Sequence, residues 1–247
     1  MELVHYSVED AVATITLDSP HNRNALSRQL VTELFGHLRT AAADDAVRVV
    51  LIASAGKVFC SGADLSEATA DGMEEGARRI VELQRLIVSM DKPVVVRAYG
   101  AVRAGGIGIV AASDIAVANE SATFALTEVK LGLAAAIISL TVHHRMNPRA
   151  AALTTLGGEV FGGSDAAAYG LVTMAVPDDA IDERVAAVCQ SLATGAPQGL
   201  RESKRILNAG LIARIDERGA DMAALSARLF ASDEAREAMT AFLARKK

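Results

Sequence analysis

The stretch PVVVRAYGAVRAGGIGIVAASDIAVA, residues 93–118, contains two apolar runs separated by a glycine-rich segment. The first run covers residues 93–98 and the second covers residues 114–118. Continuous apolar runs of this length are typical of strands that are buried on both faces of a parallel sheet. Because α/β proteins place ligands at the turns that follow such strands, residues 100–108 are predicted to contribute to a binding site.

Similar units occur earlier in the chain. Residues 12–17 alternate like a half-buried strand, and residues 47–53 form another apolar run, which is followed by a loop at 56–64. Apolar residues recur at helical spacing over 26–38 and 74–90. Strands that are separated by helices predict an α/β fold with a largely parallel sheet, covered by helices on its faces.

The last third of the chain has a helical pattern, because the β signal fades after residue 134. Helices are predicted at 164–168, 178–192, 198–215, 221–231 and 233–246. We therefore expect residues 1–190 to form an α/β core and residues 191–247 a helical region. The chain has no repeats and no low-complexity linker, so the two parts are expected to make one continuous fold unit.

The composition excludes several classes of protein. Of the 247 residues 51% are hydrophobic and 22% are charged, which is the balance of a globular protein. The net charge of −5, the absence of a basic run and an aromatic content of 4% argue against a nucleic-acid partner. The longest apolar stretch, residues 131–142, is too short to cross a membrane, and the N-terminus has no signal-peptide pattern. We therefore expect a cytoplasmic enzyme.

Three alternative sites are considered and set aside. The pattern G-x-G-x-x-A at 106–111 matches part of a dinucleotide fingerprint, but the next strand begins too soon for a helix of several turns. Cys60 has no histidine near it in sequence, and the adjacent His143 and His144 point to different faces of a helix. Cys60, His143 and His144 are interpreted as structural residues. Neither a metal nor a nucleotide cofactor is expected.

Two glycine-rich turns, around Gly62 and around Gly105–Gly106, favour a different chemistry. Each turn can present free backbone N–H groups at the start of a helix, and such donors stabilise an oxyanion. This arrangement suits a thioester whose carbonyl gains charge as an enolate when a neighbouring carbon loses a proton. Glu128 is the candidate for the carboxylate that exchanges that proton.

Several segments along nearly the whole chain follow one known pattern. They are NALS at 24–27, VRVVL at 47–51, FCSGADL at 59–65, the glycine-rich stretch at 100–118, FALTE at 124–128 and AFLARK at 241–246. Together they resemble the motifs of the enoyl-CoA hydratase/isomerase family, also called the crotonase family. The resemblance implies a spiral core of ββα units, a C-terminal helical trimerisation region and a role in fatty acid metabolism.

The same resemblance implies roles for individual residues. The backbone N–H groups of Ala63 and Gly105 would form the oxyanion hole, with Glu128 as the catalytic acid/base. An acyl-CoA substrate would lie across the 23–26 and 61–65 segments. The substrate-binding candidates are Arg23, Ala25, Ser61, Gly62, Asp64, Leu65, Arg103, Gly108 and Phe230. Family members form homotrimers, often paired into hexamers, and Phe230, Arg245 and Lys246 would reach the CoA of a neighbouring subunit.

The sequence departs from the family pattern at three places, one of which is the stretch 133–137, where the usual proline and glycines are absent. Gly108 stands where hydratases of the family usually carry a second glutamate, so that Glu128 is left without its usual partner. Arg103 stands where the family usually has a neutral residue. One interpretation pairs its guanidinium with a carboxylate on the acyl group, and another places it at the surface or at a subunit contact.

The prediction that follows is an acyl-CoA enzyme that works through an oxyanion-stabilised enolate. Enoyl-CoA hydratase ranks first because that activity is common in the family. Double-bond isomerase ranks second, since a single carboxylate that matches Glu128 suffices for it, and decarboxylation or another lyase reaction ranks third. A non-catalytic acyl-CoA-binding protein is the alternative from another class, favoured by Gly108 and disfavoured by the presence of Glu128.

Overall fold

Ten strands and nine helices make up the described part of the chain. The computed structural model describes residues 1–67 and 70–244, with the side chains of residues 65, 70–73 and 242–244 outside the description. The strands are β1 Val4–Glu9, β2 Val12–Leu17, β3 Val49–Ser54, β4 Val58–Cys60, β5 Val94–Ala98, β6 Ala101–Arg103, β7 Ile115–Asn119, β8 Thr123–Ala125, β9 Phe161–Gly162 and β10 Met174–Val176. The helices are α1 Arg28–Ala43, α2 Ala70–Ser89, α3 Gly105–Ala112, α4 Ala136–Arg145, α5 Pro148–Gly157, α6 Gly163–Ala168, α7 Ile181–Ala193, α8 Pro197–Phe230 and α9 Asp233–Ala244.

The strands form two sheets, and the chain alternates between them. The larger sheet has six strands in the order β1-β2-β3-β5-β7-β10, and the smaller has four in the order β4-β6-β8-β9. Only the β1–β2 and β8–β9 pairs among these strands are antiparallel. Three successive units, β3-β4-α2, β5-β6-α3 and β7-β8-α4, each add one strand to each sheet and then a helix, so that the core is a spiral of ββα units. The α/β fold predicted from the sequence is confirmed.

The continuous apolar runs are explained by burial on both faces of the large sheet. Val94 and Val96 of β5 face the main core, which also contains side chains from α1, α2 and α3. The intervening Val95 faces the opposite side, where a second apolar cluster is formed with Ile181 and Val185 of α7. A strand that is covered on both faces has no exposed position for a polar residue.

The small sheet is the part of the core that the sequence pattern misses. Its strands are only two or three residues long. The strand β4 lies in the stretch 56–64 that was predicted to be a loop, and no strand was predicted at the positions of the other three. Three of them, β4, β6 and β8, run parallel to one another. Their carboxyl ends therefore meet at one edge of the sheet, which is where ligands bind in parallel sheets.

The C-terminal region contains one long helix where the sequence predicts two. The helices predicted at 198–215 and 221–231 are a single helix, α8, of 34 residues, so this prediction is wrong in its break. Gly219 lies between the two predicted segments, and in the structure it is the point where α8 approaches α2. A Cβ atom at residue 219 would lie 2.7 Å from a side-chain methyl of Val81. The glycine therefore serves close helix packing rather than helix termination.

A buried polar cluster attaches α8 to the core. The Lys204 ammonium lies 2.8 Å from the Asp114 carboxylate and donates to the carbonyl oxygens of Ile87 and Lys92. The Asn208 amide donates to the same carboxylate at 2.9 Å. Burial lowers the pKa of Lys204, and the facing Asp114 opposes that shift. This attachment fixes the helix whose far end reaches the site described below. No helix within the described residues is long and apolar enough to cross a membrane.

Candidate active site

A cavity of about 140 Å³ lies between α1, α2, the start of α3, the segment before α4 and the last turns of α8. Its charged lining residues are Arg28, Asp64, Glu67, Glu75, Arg79 and Glu128. The other lining residues are small or mainly apolar, and they include Leu26, Val31, Ile80, Ile137, Ile138 and Phe230. This combination fits a ligand that is mostly apolar and is oriented by a few polar groups.

The small sheet brings three predicted site residues to the cavity. Ala63 follows β4 by three residues, Gly105 follows β6 by two, and Glu128 follows β8 by three. Because these strands are parallel neighbours, their following turns lie side by side at one edge. All three residues line the cavity.

Glu128 lies on a short 3₁₀ helix, Thr127–Leu131, that Gly132 ends in the left-handed conformation. The N–H groups of Gly132 and Leu133 both donate to the Glu128 carbonyl oxygen, which fixes the backbone of the turn. The carboxylate oxygen Oε2 is buried and has no hydrogen-bond partner among the described residues. Burial raises the pKa of Glu128, as removal of water disfavours its charged form.

Ala63 and Gly105 supply two backbone donors. Ala63 forms a parallel bridge with Leu26, whose N–H donates to the Gly62 carbonyl oxygen at 2.8 Å. Gly105 is the first residue of α3, where a backbone N–H has no acceptor within its own helix. Within the described part of the chain, neither N–H donates to a protein acceptor. The positive end of the α3 dipole adds to the attraction for an anion at this place.

The donor turns are held by contacts that leave no room for side chains. A Cβ atom at Gly105 would lie 2.5 Å from Cδ1 of Leu26, and one at Gly106 would lie 2.6 Å from Cβ of Cys60. Cys60 is fully buried, and burial raises the pKa of its thiol to about 12. A protonated, inaccessible thiol fits the interpretation of Cys60 as a structural residue.

The segments that were expected to carry CoA are joined to each other. The Ser61 N–H donates to the Arg23 carbonyl oxygen at 3.1 Å, and the Ser61 hydroxyl donates to the carbonyl oxygen of Asn22. The Asn22 amide in turn donates to the Asp64 carboxylate at 2.9 Å. Hydrogen bonds from Ser66 and Asn22 lower the pKa of Asp64. The Asp64 carboxylate therefore already serves to hold this loop together.

The structure places the remaining predicted residues as follows. Asp64 and Phe230 line the cavity together with the three residues above. Arg23, Ala25, Ser61, Gly62, Arg103 and Gly108 are not among its lining residues. The side chain of Leu65 and all of Arg245 and Lys246 lie outside the described residues. Phe230 lines the cavity of its own chain because α8 packs across α2, and its contact with a neighbouring subunit's CoA stays a prediction.

The position of the missing second glutamate is closed. A Cβ atom at Gly108 would lie 2.6 Å from Cγ2 of Ile138 and 3.3 Å from Oε1 of Gln84. Gln84 is buried, accepts from the Thr141 hydroxyl at 2.6 Å and donates to the Ile137 carbonyl oxygen at 3.1 Å. The side of the cavity next to Gly108 is therefore an apolar wall of α4, supported by a satisfied polar group behind it.

Arg103 points away from the cavity. Its guanidinium donates to the carbonyl oxygens of Val102 and Thr123 and to the Thr123 hydroxyl, across the β6–β8 pair. Burial lowers the pKa of this half-buried side chain. The structure thus does not bring Arg103 to the position that the acyl-carboxylate interpretation requires.

Sequence reasoning missed the α4 side of the site and Ala104. Residues 134–138 line the cavity, although this stretch was noted only for lacking the usual proline and glycines. Ala104 also lines the cavity and has a positive φ of 45°, which no sequence signal announces for an alanine. Among the described residues, no three His, Cys, Asp or Glu side chains form a group that could hold a metal ion.

A comparison with protein families agrees with this geometry, since the family model described as enoyl-CoA hydratase/isomerase matches residues 7–247. The chain belongs to this family. The enoyl-CoA hydratase/isomerase family acts on acyl-CoA substrates, and the resemblance of the motifs is confirmed. The chain is therefore a crotonase-family enzyme of the hydratase/isomerase type.

Solved structures and curated relatives support the assignment. A crystal structure of an enoyl-CoA hydratase from Mycobacterium avium is 46% identical, with a TM-score of 0.92 over 98% of this chain and 96% of that one. Another, from Mycobacterium avium subsp. paratuberculosis K-10, is 28% identical with a TM-score of 0.87, over 98% and 96% of the two chains. The 1,2-epoxyphenylacetyl-CoA isomerase of Escherichia coli K12 is 28% identical over 257 aligned positions, which cover 100% of this chain and 97% of that protein.

Proposed function

We propose that this enzyme moves a carbon–carbon double bond along the acyl chain of an enoyl-CoA, with Glu128 as the only proton carrier. The observation that carries the proposal is the unpartnered, buried Glu128 Oε2 at the cavity that Ala63 and Gly105 also line. Two neutral donors and one carboxylate of raised pKa are what an enolate mechanism requires.

The proposed reaction is balanced without water or an added cofactor. Glu128 takes a proton from C2 of a 3-enoyl thioester. The electron pair of that C–H bond forms a double bond between C1 and C2, and the π pair of the carbonyl moves to its oxygen. The resulting enolate oxygen accepts from the N–H groups of Ala63 and Gly105. The protonated Glu128 then gives the proton to C4: the C3–C4 π pair forms the new C–H bond, the C1–C2 π pair moves to C2–C3, and the carbonyl re-forms. A raised pKa suits a group that must hold and return one proton.

Hydration is the second candidate, and the enoyl-CoA hydratase name of the 46%-identical Mycobacterium avium structure favours it. Addition of water across a double bond requires a group that orients or deprotonates the water, besides the group that delivers a proton. The family position for that group is Gly108, which has no side chain and is covered by Ile138. Of the other carboxylates at the cavity, Asp64 and Glu67 already accept hydrogen bonds from Ser66 and from the Arg28 N–H.

The test is product analysis with matched 2-enoyl-CoA and 3-enoyl-CoA substrates in D₂O. Isomerisation gives a product with the mass of the substrate apart from exchanged deuterium, whereas hydration adds one molecule of water. We expect the 3-enoyl substrate to be converted to the 2-enoyl product without water uptake. Formation of a hydrated product as the main species would establish hydration instead. Binding without any product would favour the non-catalytic acyl-CoA-binding alternative.

We also propose that turnover needs neither metal nor nicotinamide nor flavin, because every step above is assigned to this chain's own groups. The purified enzyme should keep its full rate in EDTA without added cofactors. A loss of activity on chelation that one specific metal restores would contradict the proposed mechanism.

A homotrimer is proposed for the assembly, as the family resemblance implies. The exposed apolar side chains of Val129, Leu153, Leu156 and Val160 support it, because α5 packs against the 3₁₀ helix that carries Val129. Large apolar side chains at the surface are typical of protein–protein contacts. Light scattering of the wild-type protein and of a Leu156→Glu variant tests the assembly, with the variant expected to dissociate.

A further inference from the structure

Ala104 has a backbone conformation that is unusual for an alanine. Its φ is 45° and its ψ is −118°, at the residue directly before α3. This region is occupied at low cost only by glycine, because a Cβ atom there crowds the neighbouring backbone. Strained residues of this kind persist where the surrounding structure holds them, and they cluster at functional sites.

The conformation of Ala104 sets the direction of the Gly105 N–H. In a planar trans peptide the carbonyl and the next N–H point in opposite directions. The Ala104 carbonyl oxygen points into α3, where it accepts from the N–H of Ile107 at 2.8 Å and of Gly108 at 3.3 Å. The Gly105 N–H of the same peptide therefore points out of the start of the helix, on the side of the cavity that both residues line.

The methyl group of Ala104 faces the second donor turn. A Cβ atom added at Gly62 would lie 3.0 Å from Cβ of Ala104, so only glycine fits opposite this methyl group. Gly62 has a φ of +98° and directly precedes Ala63. The two residues that precede the two N–H donors therefore face each other, with the Ala104 methyl between the turns.

We propose that Ala104 is a positioning residue, whose strained backbone orients the Gly105 donor and whose methyl group fixes its spacing from the Ala63 donor. The proposal rests on the proposed function, because it assigns to these N–H groups the enolate oxygen of an acyl-CoA. A glycine at 104 would accept the present conformation without strain, but it would also accept others and would leave a gap beside Gly62.

The test compares Ala104→Gly with Ala11→Gly. Ala11 also has a positive φ, 64°, but it lies in the turn between β1 and β2 and does not line the cavity. Both variants relieve backbone strain, and only the first acts next to the donors. We expect kcat of Ala104→Gly to fall about 10-fold with KM little changed, which is less than the loss expected when a donor is removed. Ala11→Gly should keep the wild-type kcat, and neither variant should melt at a lower temperature.

A spectroscopic readout separates positioning from a structural role. The infrared carbonyl band of a bound, ¹³C-labelled saturated acyl-CoA should move to lower wavenumber in the wild-type protein, because the two donors polarise the thioester. The shift should be smaller in Ala104→Gly, unchanged in Ala11→Gly and restored in Ala104→Ser, which keeps a Cβ atom.

The outcomes distinguish the two proposals. If the wild-type protein binds the labelled acyl-CoA without a band shift, the N–H groups of Ala63 and Gly105 do not bind the thioester carbonyl. The proposed function and the role of Ala104 are then both overturned. If the wild-type band shifts and Ala104→Gly matches it in both band and kcat, only the role of Ala104 is overturned. A lower kcat with an unchanged band would also overturn that role.

Discussion

The turns after β6 and after β8 occupy corresponding places in two successive units of the spiral, yet they handle charge in opposite ways. After β6 the chain enters a buried helix that offers a backbone N–H, and Gly108 in that helix is covered by Ile138. After β8 the chain forms a partly exposed 3₁₀ turn that carries the Glu128 carboxylate, whose Oε2 is buried. The difference teaches that one unit supplies fixed dipoles for the carbonyl and the other supplies the titratable group.

The largest effect is expected for Glu128→Gln, which removes the titratable group and keeps its size. Turnover should fall by about 10²–10⁴ because an amide cannot take up the proton. Acyl-CoA binding, measured by calorimetry, should stay at the wild-type level. If Glu128 only stabilises its turn, the variant will keep its turnover and lose a little thermal stability. That result would contradict the statement that the turn after β8 supplies the titratable group.

Removing the backbone N–H of Gly105, in the turn after β6, should have the next largest effect. Gly105→Pro deletes the N–H donor at the first helical position, and because proline also restricts the residue before it, the comparison is made only if the variant keeps the melting temperature of Gly105→Ala. We expect kcat to fall by about 10²–10³. Gly105→Ala is the matched control, since it makes the same approach to Leu26 but keeps the N–H. Equal kcat values for the two variants would show that the donor does not act in the reaction.

The closed position at Gly108 can be examined by a double-mutant cycle with Ile138. Gly108→Ala alone should destabilise the fold by about 1–3 kcal/mol, because its Cβ meets a side-chain methyl at 2.6 Å. Ile138→Ala removes that methyl, so the double variant should be more stable than the sum of the single changes predicts. A coupling of about 0.5–3 kcal/mol in urea unfolding is expected. Strict additivity would mean that Ile138 does not close this position.

The smallest effect concerns the dependence of stability on pH. The pKa of Glu128 is raised in the folded protein. The contribution of this group to stability is therefore fully present at a pH below its pKa in the unfolded chain. It is lost as the pH rises through the higher pKa that the group has in the folded protein. Glutamine does not titrate. The melting temperature of Glu128→Gln relative to wild type should therefore increase between about pH 5 and about pH 8.

The control for this measurement is Glu217→Gln, at an exposed position of α8. This variant shows how much of the change in melting temperature comes from replacing a surface glutamate by glutamine, without any change at the cavity. A difference for Glu128→Gln that decreases with rising pH would contradict the burial of the carboxylate.

Much of the core could be predicted because its signals are local. The buried strands β3, β5 and β7 have apolar runs, and α1 and α2 have apolar residues at helical spacing. The strands of the small sheet could not be predicted, because two or three residues contain no period. Their pairing is determined by the large sheet and by the turns that follow.

The residues of the site fall into the same two groups: those that a local motif marks, and those whose role depends on contacts with distant parts of the chain. Glu128, Gly105 and Ala63 were placed by the family motifs, and all three line the cavity. The closure of Gly108 could not be foreseen, because Ile138 comes from a helix thirty positions later in the chain. The helix α8 continues where a break was predicted, and Gly219 in that stretch packs against Val81 of another helix.

The buried sulfur of Cys60 has a consequence for acyl transfer. Its thiol lies two residues before Gly62 and against Gly106, beside the turns that would bind a thioester carbonyl. A thiolate with access to the cavity would attack the thioester and carry the acyl group away from CoA, but Cys60 is fully buried and is not among the cavity's lining residues. Because burial raises the pKa of Cys60 to about 12, the attacking form is absent at neutral pH. The packing that brings the two turns together thus also protects the substrate from exchange onto the protein.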